Sequence, residues 1–285
     1  MRRSLLFIPA NSPAMLQNAD IFAADGIIFD LEDAVVVSEK DAALSLLDQY
    51  LSTFNLSNLE VIVRVNSLDT AFSLEELDVM INDRIDTIML PKATFQDTLS
   101  FSKLIDTVSS HKNIKKDIHI IPIIESAQSV IEVNQIASVS RVNGLLLGGE
   151  DLATDLEVER TEQGLEILLS RSMVVLAAKA NQIDAIDTPY TNTKDEIGLS
   201  NDSKLAKSLG MNAKVCIHPN QIDIINDLFS PSQTDIDNAK KILTQLDKLD
   251  PNQKGAFSID GKMIDKPIIE RARKLLEKAE KWNLL

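Results

Sequence analysis

Charged side chains that stand directly behind short apolar runs are the candidates for chemistry in this chain. GIIFDLED delivers Asp30, Glu32 and Asp33, HIIPIIES delivers Glu125, and GLLLGGED ends on Gly148, Gly149, Glu150 and Asp151. Carboxylates from two neighbouring segments, Glu125 and Asp151, suit one hard cation. Mg²⁺ typically takes one or two protein carboxylates and keeps its remaining positions for water and substrate oxygens. An equally open reading makes both of them helix caps, Glu125 before SAQSV and Asp151 before LATDL. The glycine pair would let a ligand approach the backbone closely.

Arg64 lies inside EVIVRVN, an otherwise apolar segment. A guanidinium cannot shed its charge there, so it must meet anions. It either pairs with Glu32 or Asp33 or grips a substrate carboxylate with two nitrogens. Lys92, after Pro91, is the weaker cation. Other polar residues behind apolar runs are Asn66, Asp187, Tyr190 and His218. The 3 histidines lie too far apart in pattern to make a metal set, and the single cysteine, Cys216, sits in the apolar run AKVCIHP as an inert buried thiol. No GxSxG, HExxH, Walker loop or CxxC occurs, which removes the commonest hydrolase, zinc-protease, nucleotide-triphosphatase and dithiol readings.

Acidic residues outnumber basic ones by 43 to 29, for a formal charge of −14. Such a surface repels nucleic acid and anionic membranes, and an anionic substrate needs local cations from Arg, Lys or a metal. The amino-terminal apolar stretch is only LLFI before Pro9, short of the roughly 7–15 residues of a signal core. A cytoplasmic location is expected.

Those residues must be positioned by the elements between them. Eight short apolar runs, at 4–9, 26–32, 60–66, 87–93, 119–126, 144–151, 184–190 and 213–219, read as buried parallel strands. Segments with apolar positions every three and four residues separate them, the first opening at Ser38 as an N-cap. Strand starts recur about every 30 residues, the size of a βα unit. Eight units fill about 220 residues, close to a minimal (β/α)₈ TIM barrel, whose strand ends point into the active site. The rival open sheet normally carries a Gly-rich first turn, and none follows the first strand. The expected organisation is a catalytic barrel over 1–229 and a C-terminal helical tail over 230–285. A tail of that size and polarity is expected to lack its own core and to pack on the barrel or on a neighbouring subunit.

Taken in order, MRRSLLFIPANSPAMLQNA, FDLEDAVVVSEKDAA, VRVNSLDT, LPKA, IIESAQSV, LGGEDLATDL, VCIHPNQ and DGKMIDKPIIERA resemble the citrate lyase β-subunit-like family of the HpcH/HpaI aldolase superfamily. The resemblance spans nearly the whole chain. It implies a (β/α)₈ barrel, a homotrimer, and a Mg²⁺- or Mn²⁺-dependent carbon–carbon lyase working between an acyl thioester and a 2-oxo acid. Residue by residue, it implies Glu125 and Asp151 as metal ligands and Arg64 as the group holding the keto-acid or the enolate oxygen. Gly149, Glu150 and Asp151 would then line the substrate, with Glu32 and Asp33 behind them. Asp265 of GKMID would be an acid/base that enters a neighbouring subunit's site; read without the resemblance, it is an ordinary N-cap of the last helix. Arg2, Arg3 and Lys92 are candidate contacts for the thioester carrier, coenzyme A or a phosphopantetheine arm.

The implied reaction is retro-Claisen cleavage of a citryl thioester to oxaloacetate and an acetyl thioester. Malyl-, citramalyl- and methylmalyl-coenzyme A lyases and a thioesterase-type relative are alternatives. Two departures bear on the carrier. Ala10 replaces the usual glycine of the β-subunits, and CIHPNQ looks more like the stand-alone, coenzyme A-using relatives. From a different class comes a subunit that binds an acyl carrier protein and is inactive outside a complex. Its acidic partner would need a basic dock, from Arg2, Arg3, Lys254, Lys262, Lys266 and the last helix. A class II pyruvate aldolase acting without any thioester is the third reading.

Overall fold

The computed structural model describes residues 2–249 and 256–285. Eight strands, β1 (Ser4–Pro9), β2 (Gly26–Asp30), β3 (Glu60–Arg64), β4 (Thr87–Leu90), β5 (His119–Ile124), β6 (Gly144–Leu147), β7 (Asp184–Asp187) and β8 (Ala213–Cys216), pair in parallel and in sequence order. β1 closes the barrel on β8. Helices α1 (Pro13–Leu16), α2 (Lys40–Thr53), α3 (Ser73–Met80), α4 (Phe95–Lys112), α5 (Ala127–Ala137), α6 (Gly149–Asp155), α7 (Leu168–Ala180) and α8 (Glu196–Leu209) alternate with them, and α9 (Ile222–Phe229) follows β8. The (β/α)₈ expectation holds.

The strands are near-continuous apolar runs because both faces of the sheet are covered. One buried cluster takes a residue from every strand, among them Leu5, Ile28, Ile62, Met89, Ile121, Leu146, Ile186 and Val215. Each strand stops close to where its apolar run meets polar residues, some on an apolar residue and some on the first charged one. β2 ends at Asp30, β5 at Ile124 and β6 at Leu147. The residues past those points form the loops at the barrel's C-terminal end.

Local chemistry shapes those loops. Ser126, not Glu125, caps α5, in a capping box with Ser129. Gly148, not Asp151, holds the N-cap position of α6. The capping reading of both carboxylates is therefore not what the fold uses. Ser38 likewise does not cap α2; it lies in a short 3₁₀ turn, and Glu39 takes the N-cap position.

The chain divides into two compact units, Met1–Asn226 and Asp227–Leu285. The second contains α10 (Gln233–Lys248), an antiparallel hairpin of β9 (Ala256–Ile259) and β10 (Lys262–Asp265), and α11 (Lys266–Lys281). Asp260 and Gly261 take φ of 51° and 77° at the hairpin turn, the left-handed pair that matches strand twist. Contrary to expectation, this unit has an apolar cluster of its own, in which Leu246, Ile264 and Ile269 pack with Phe257 and Ile268. The amphipathic periods of α10 and α11 supply part of it, and the hairpin contributes Phe257, Ile259 and Ile264. Among the described residues, no helix is long and apolar enough to cross a membrane.

Candidate active site

Arg64 ends β3 directly beside Asp30, which ends β2 in the same register. Its Nε donates to Asp30 Oδ1 at 2.7 Å and its Nη2 to Asp30 Oδ2 at 2.6 Å, a two-point grip on a fully buried carboxylate. Nη1 lies 2.9 Å from Glu32 Oε2 and 3.4 Å from Asp33 Oδ2. The guanidinium also sits 5.1 Å from the centre of the Phe7 ring. Burial works against its charge, but the hydrogen bonds to Asp30 and the charges of Asp30, Glu32 and Asp33 outweigh it, so its pKa is raised. Glu32 and Asp33 are thus partners of Arg64 as expected, but the principal one is Asp30. The signal was there: Asp30 is the first carboxylate of FDLED and closes the apolar run.

Glu125 follows β5 and is buried. Its Oε1 accepts from the backbone N–H of Lys92, which the loop after β4 holds at φ 49°. A lysine in the left-handed region is uncommon and tends to mark a local constraint. The Lys92 ammonium is largely exposed and stands 3.7 Å from Glu32 Oε1. Burial pushes the Glu125 carboxyl up to about 8; the Lys92 N–H pulls it down, and the Asp151 charge pushes it further up. Burial likewise raises Glu32 to about 7 against the pull of Arg64.

Gly148 and Gly149 line the cavity described below, and the positions their Cβ atoms would take are filled by the chain's own side chains. A Cβ at Gly148 would lie 2.6 Å from Glu125 Cβ, and one at Gly149 would lie 2.8 Å from Thr188 Oγ1. Glu150 and Asp151 stand in the first turn of α6, where carboxylates are favoured by the helix dipole. Glu150 pairs with Arg160 at 3.0 Å, and Arg160 in turn binds Glu166.

Phe7, Arg64, Glu125, Gly149, Glu150 and Asp151 line one cavity of about 500 Å³, together with Asp30 and Asp33. Its described wall carries five carboxylates against one arginine, over an apolar floor that includes Met15, Ile123 and Leu146. Such a wall repels an anionic ligand unless a cation intervenes. Among the described residues there is no group of three or more His, Cys, Asp or Glu side chains set to hold a metal. The donor set here is two carboxylates, Glu125 and Asp151. That set fits a hard divalent ion that keeps water and substrate oxygens in its other positions. Without a cation, Glu125 is buried beside another carboxylate and drawn towards its neutral form, which is the imbalance such an ion would relieve.

Several candidates make structural contacts. Arg2 and Arg3 lie at the opposite, N-terminal end of the barrel. Arg2 is buried against Glu60 at 2.6 Å and Asp184 at 2.9 Å, and Arg3 pairs with Asp25 at 2.7 Å. They precede β1 rather than follow it, away from the strand ends that carry the cavity. Asn66 binds Glu76 and the Leu31 carbonyl, and Tyr190 donates to Asp195 at 2.8 Å. Asp187 is fully buried in an ionic quartet with Arg171, Lys214 and Asp202. His218 accepts from the Asn220 N–H and opens a 3₁₀ turn. Cys216 is buried and its thiol is pushed up to about 12 by that burial, so it is unreactive. In the second unit, Asp265 accepts from the Ile268 N–H as the N-cap of α11. Lys254 lies outside the described residues.

Known proteins are similar to this chain in sequence and in fold. The chain is 38% identical over 283 residues to the citrate lyase subunit beta of Haemophilus influenzae, covering 98% of this chain and 97% of that one. It is 32% identical over 278 residues to a (3S)-malyl-CoA thioesterase of Cereibacter sphaeroides, covering 98% and 94%. Its fold matches a crystal structure of the protein CitE from Mycobacterium tuberculosis in complex with magnesium, acetoacetate and coenzyme A. There the TM-score is 0.79 at 27% identity, over 98% of both chains. The sequence pattern of the HpcH/HpaI aldolase/citrate lyase family matches residues 3–219, which take in the whole barrel and every residue around the cavity, and the chain belongs to that family.

Proposed function

We propose that this protein is a Mg²⁺-dependent carbon–carbon lyase that cleaves a 3-hydroxyacyl thioester, of which citryl thioester is the leading example, into a 2-oxo acid and an acetyl thioester. The observation that carries the reading is the cavity wall that sets Glu125 and Asp151 together with Arg64 on a surface too acidic for an anionic substrate alone. Glu125 and Asp151 would hold the ion. When bound, Mg²⁺ supplies a Lewis acid for the carboxylate and hydroxyl of the substrate, stabilising the developing oxyanion by several kcal/mol.

The chain's own groups do the rest. Arg64 is fixed by Asp30 before substrate arrives, so no reorganisation is needed when negative charge moves onto the departing thioester as an enolate. Its longest contact, 3.4 Å to the exposed Asp33, is the one a substrate oxygen can displace. The apolar floor excludes water and accepts the carbon skeleton. Asp265, acting from a neighbouring subunit of a homotrimer, would protonate the enolate carbon. Coenzyme A is the preferred carrier, supported by CIHPNQ.

A thioesterase is the second reading, favoured by the malyl-CoA thioesterase relative. One assay tests both: purified protein with Mg²⁺ and citryl-, malyl- or citramalyl-coenzyme A, with the products identified. Release of a 2-oxo acid with acetyl-coenzyme A supports the lyase. Free coenzyme A with an intact hydroxy acid identifies the thioesterase. Equal or better turnover of the coenzyme A substrate than of its carrier-protein form counts against an obligate complex.

A further inference from the structure

Thr188 directly follows β7, is fully buried, and lines the cavity without belonging to any group described above as acting on substrate. Its hydroxyl oxygen accepts from the backbone N–H of Gly149 at 2.9 Å. Its carbonyl accepts from Lys214 Nζ at 2.7 Å. Lys214 is itself held by Asp187 and Asp202, each at 2.6 Å, and Arg171 binds the same two carboxylates. The buried quartet therefore backs Thr188, and Thr188 holds the turn that begins α6.

That turn carries half of the proposed ion site. Gly148 packs against the Glu125 side chain, and its own N–H donates to the Ile124 carbonyl at 2.9 Å. Gly149 packs against Thr188 with no room for a Cβ. The two glycines are clamped between Glu125 and Thr188, and Asp151 stands two residues beyond the clamp. The Gly149 N–H belongs to the first turn of α6, where backbone donors have no partner inside the helix. Its partner is the Thr188 hydroxyl. Without that acceptor, a buried donor must turn towards cavity water, and the first turn of α6 rotates with it.

We propose that Thr188 is a positioning residue that sets Asp151 against Glu125 and thereby the affinity of the pair for a divalent cation. The inference rests on the ion site proposed above. It is tested on metal-free, full-length protein by titrating Mn²⁺ and following the free ion by electron paramagnetic resonance, with thermal unfolding as a control. Thr188→Val keeps the shape and removes the acceptor; Thr188→Ser keeps the hydroxyl. We expect Mn²⁺ to bind Thr188→Val at least about tenfold more weakly than wild type, as outer-shell substitutions do, and Thr188→Ser to bind within about threefold. Thr188→Ala replaces the valine variant if that variant does not fold, with the same expectation against serine. Wild-type affinity in the valine or alanine variant overturns the proposal, as does a serine variant that is equally weakened. Should the wild type fail to bind Mn²⁺, or Glu125→Gln bind it as tightly, the ion site itself is overturned and this proposal with it.

Discussion

Gly148 lies so close to Glu125 that a methyl group on its Cα would sit 2.6 Å from Glu125 Cβ and 2.8 Å from Oε2. The missing Cβ makes room for the Glu125 side chain. Gly148→Ala must push Glu125 aside, because the backbone at Gly148 is tied to Ile124. Overpacking of this kind costs about 1–3 kcal/mol. We expect a modest loss of thermal stability together with a Mg²⁺ requirement raised by about tenfold or more. Activity measured against Mg²⁺ concentration, alongside thermal unfolding, checks both.

The buried carboxyls give the metal-free protein a defined pH dependence. Glu125 is raised from 4.5 to about 8 and Glu32 from 4.5 to about 7, burial being the largest cause for each. A folded state that holds these protons more tightly than the unfolded chain is stabilised below pH 4.5. That contribution is lost as pH rises through the folded values. Metal-free protein should therefore lose stability between about pH 5 and pH 8, by an amount on the order of a few kcal/mol. Glu125→Gln should flatten that decline. Mg²⁺ binds the ionised form, so the rise in melting temperature it produces should be larger at pH 8 than at pH 6. Thermal unfolding across pH, with and without Mg²⁺, reads all three.

Arg64→Lys keeps the charge and loses the fork that holds Asp30 from two nitrogens. An ammonium cannot satisfy both Asp30 oxygens and also face substrate. We expect kcat to fall by about 10²–10³, the cost of losing a preorganised oxyanion donor. The fold should be retained by circular dichroism.

The elements were legible in the sequence because each strand is a continuous apolar run, and the strand starts fall within the expected spans. The strand ends were less so. A run such as GLLLGGED carries no mark showing that pairing stops at Leu147 and that α6 begins at Gly149. Arg64 was legible as a buried cation, but its partner depended on register, which places Asp30 beside it across two strands. Arg2 shows the opposite failure. A basic residue near a terminus looks solvated, yet it meets Glu60 and Asp184 from distant strands. Thr188 had no sequence signal, because its role is a contact to a backbone amide 39 residues away.

Asp265 is the N-cap of α11, accepting from Ile268. Asparagine caps about as well as aspartate, so Asp265→Asn should leave stability nearly unchanged while removing the proton donor. If Asp265 serves a neighbouring subunit, Asp265→Asn and Glu125→Gln proteins, each nearly inactive alone, should regain activity when refolded together. Mixed oligomers in which one site joins an intact ion pair of ligands to an intact Asp265 account for that recovery. No recovery on mixing, with mixed oligomers verified by mass spectrometry, argues that Asp265 acts within its own subunit or not at all.

The central claim is tested most directly by 2-oxo acid release from coenzyme A thioesters by wild type, Glu125→Gln and Asp151→Asn, each with Mg²⁺ and with chelator. The account predicts release by the wild type from at least one of citryl-, malyl- and citramalyl-coenzyme A. That release should be abolished by chelator and lost in both variants, with folding intact. No 2-oxo acid from any of the three, or release that survives chelator and both substitutions, would contradict it.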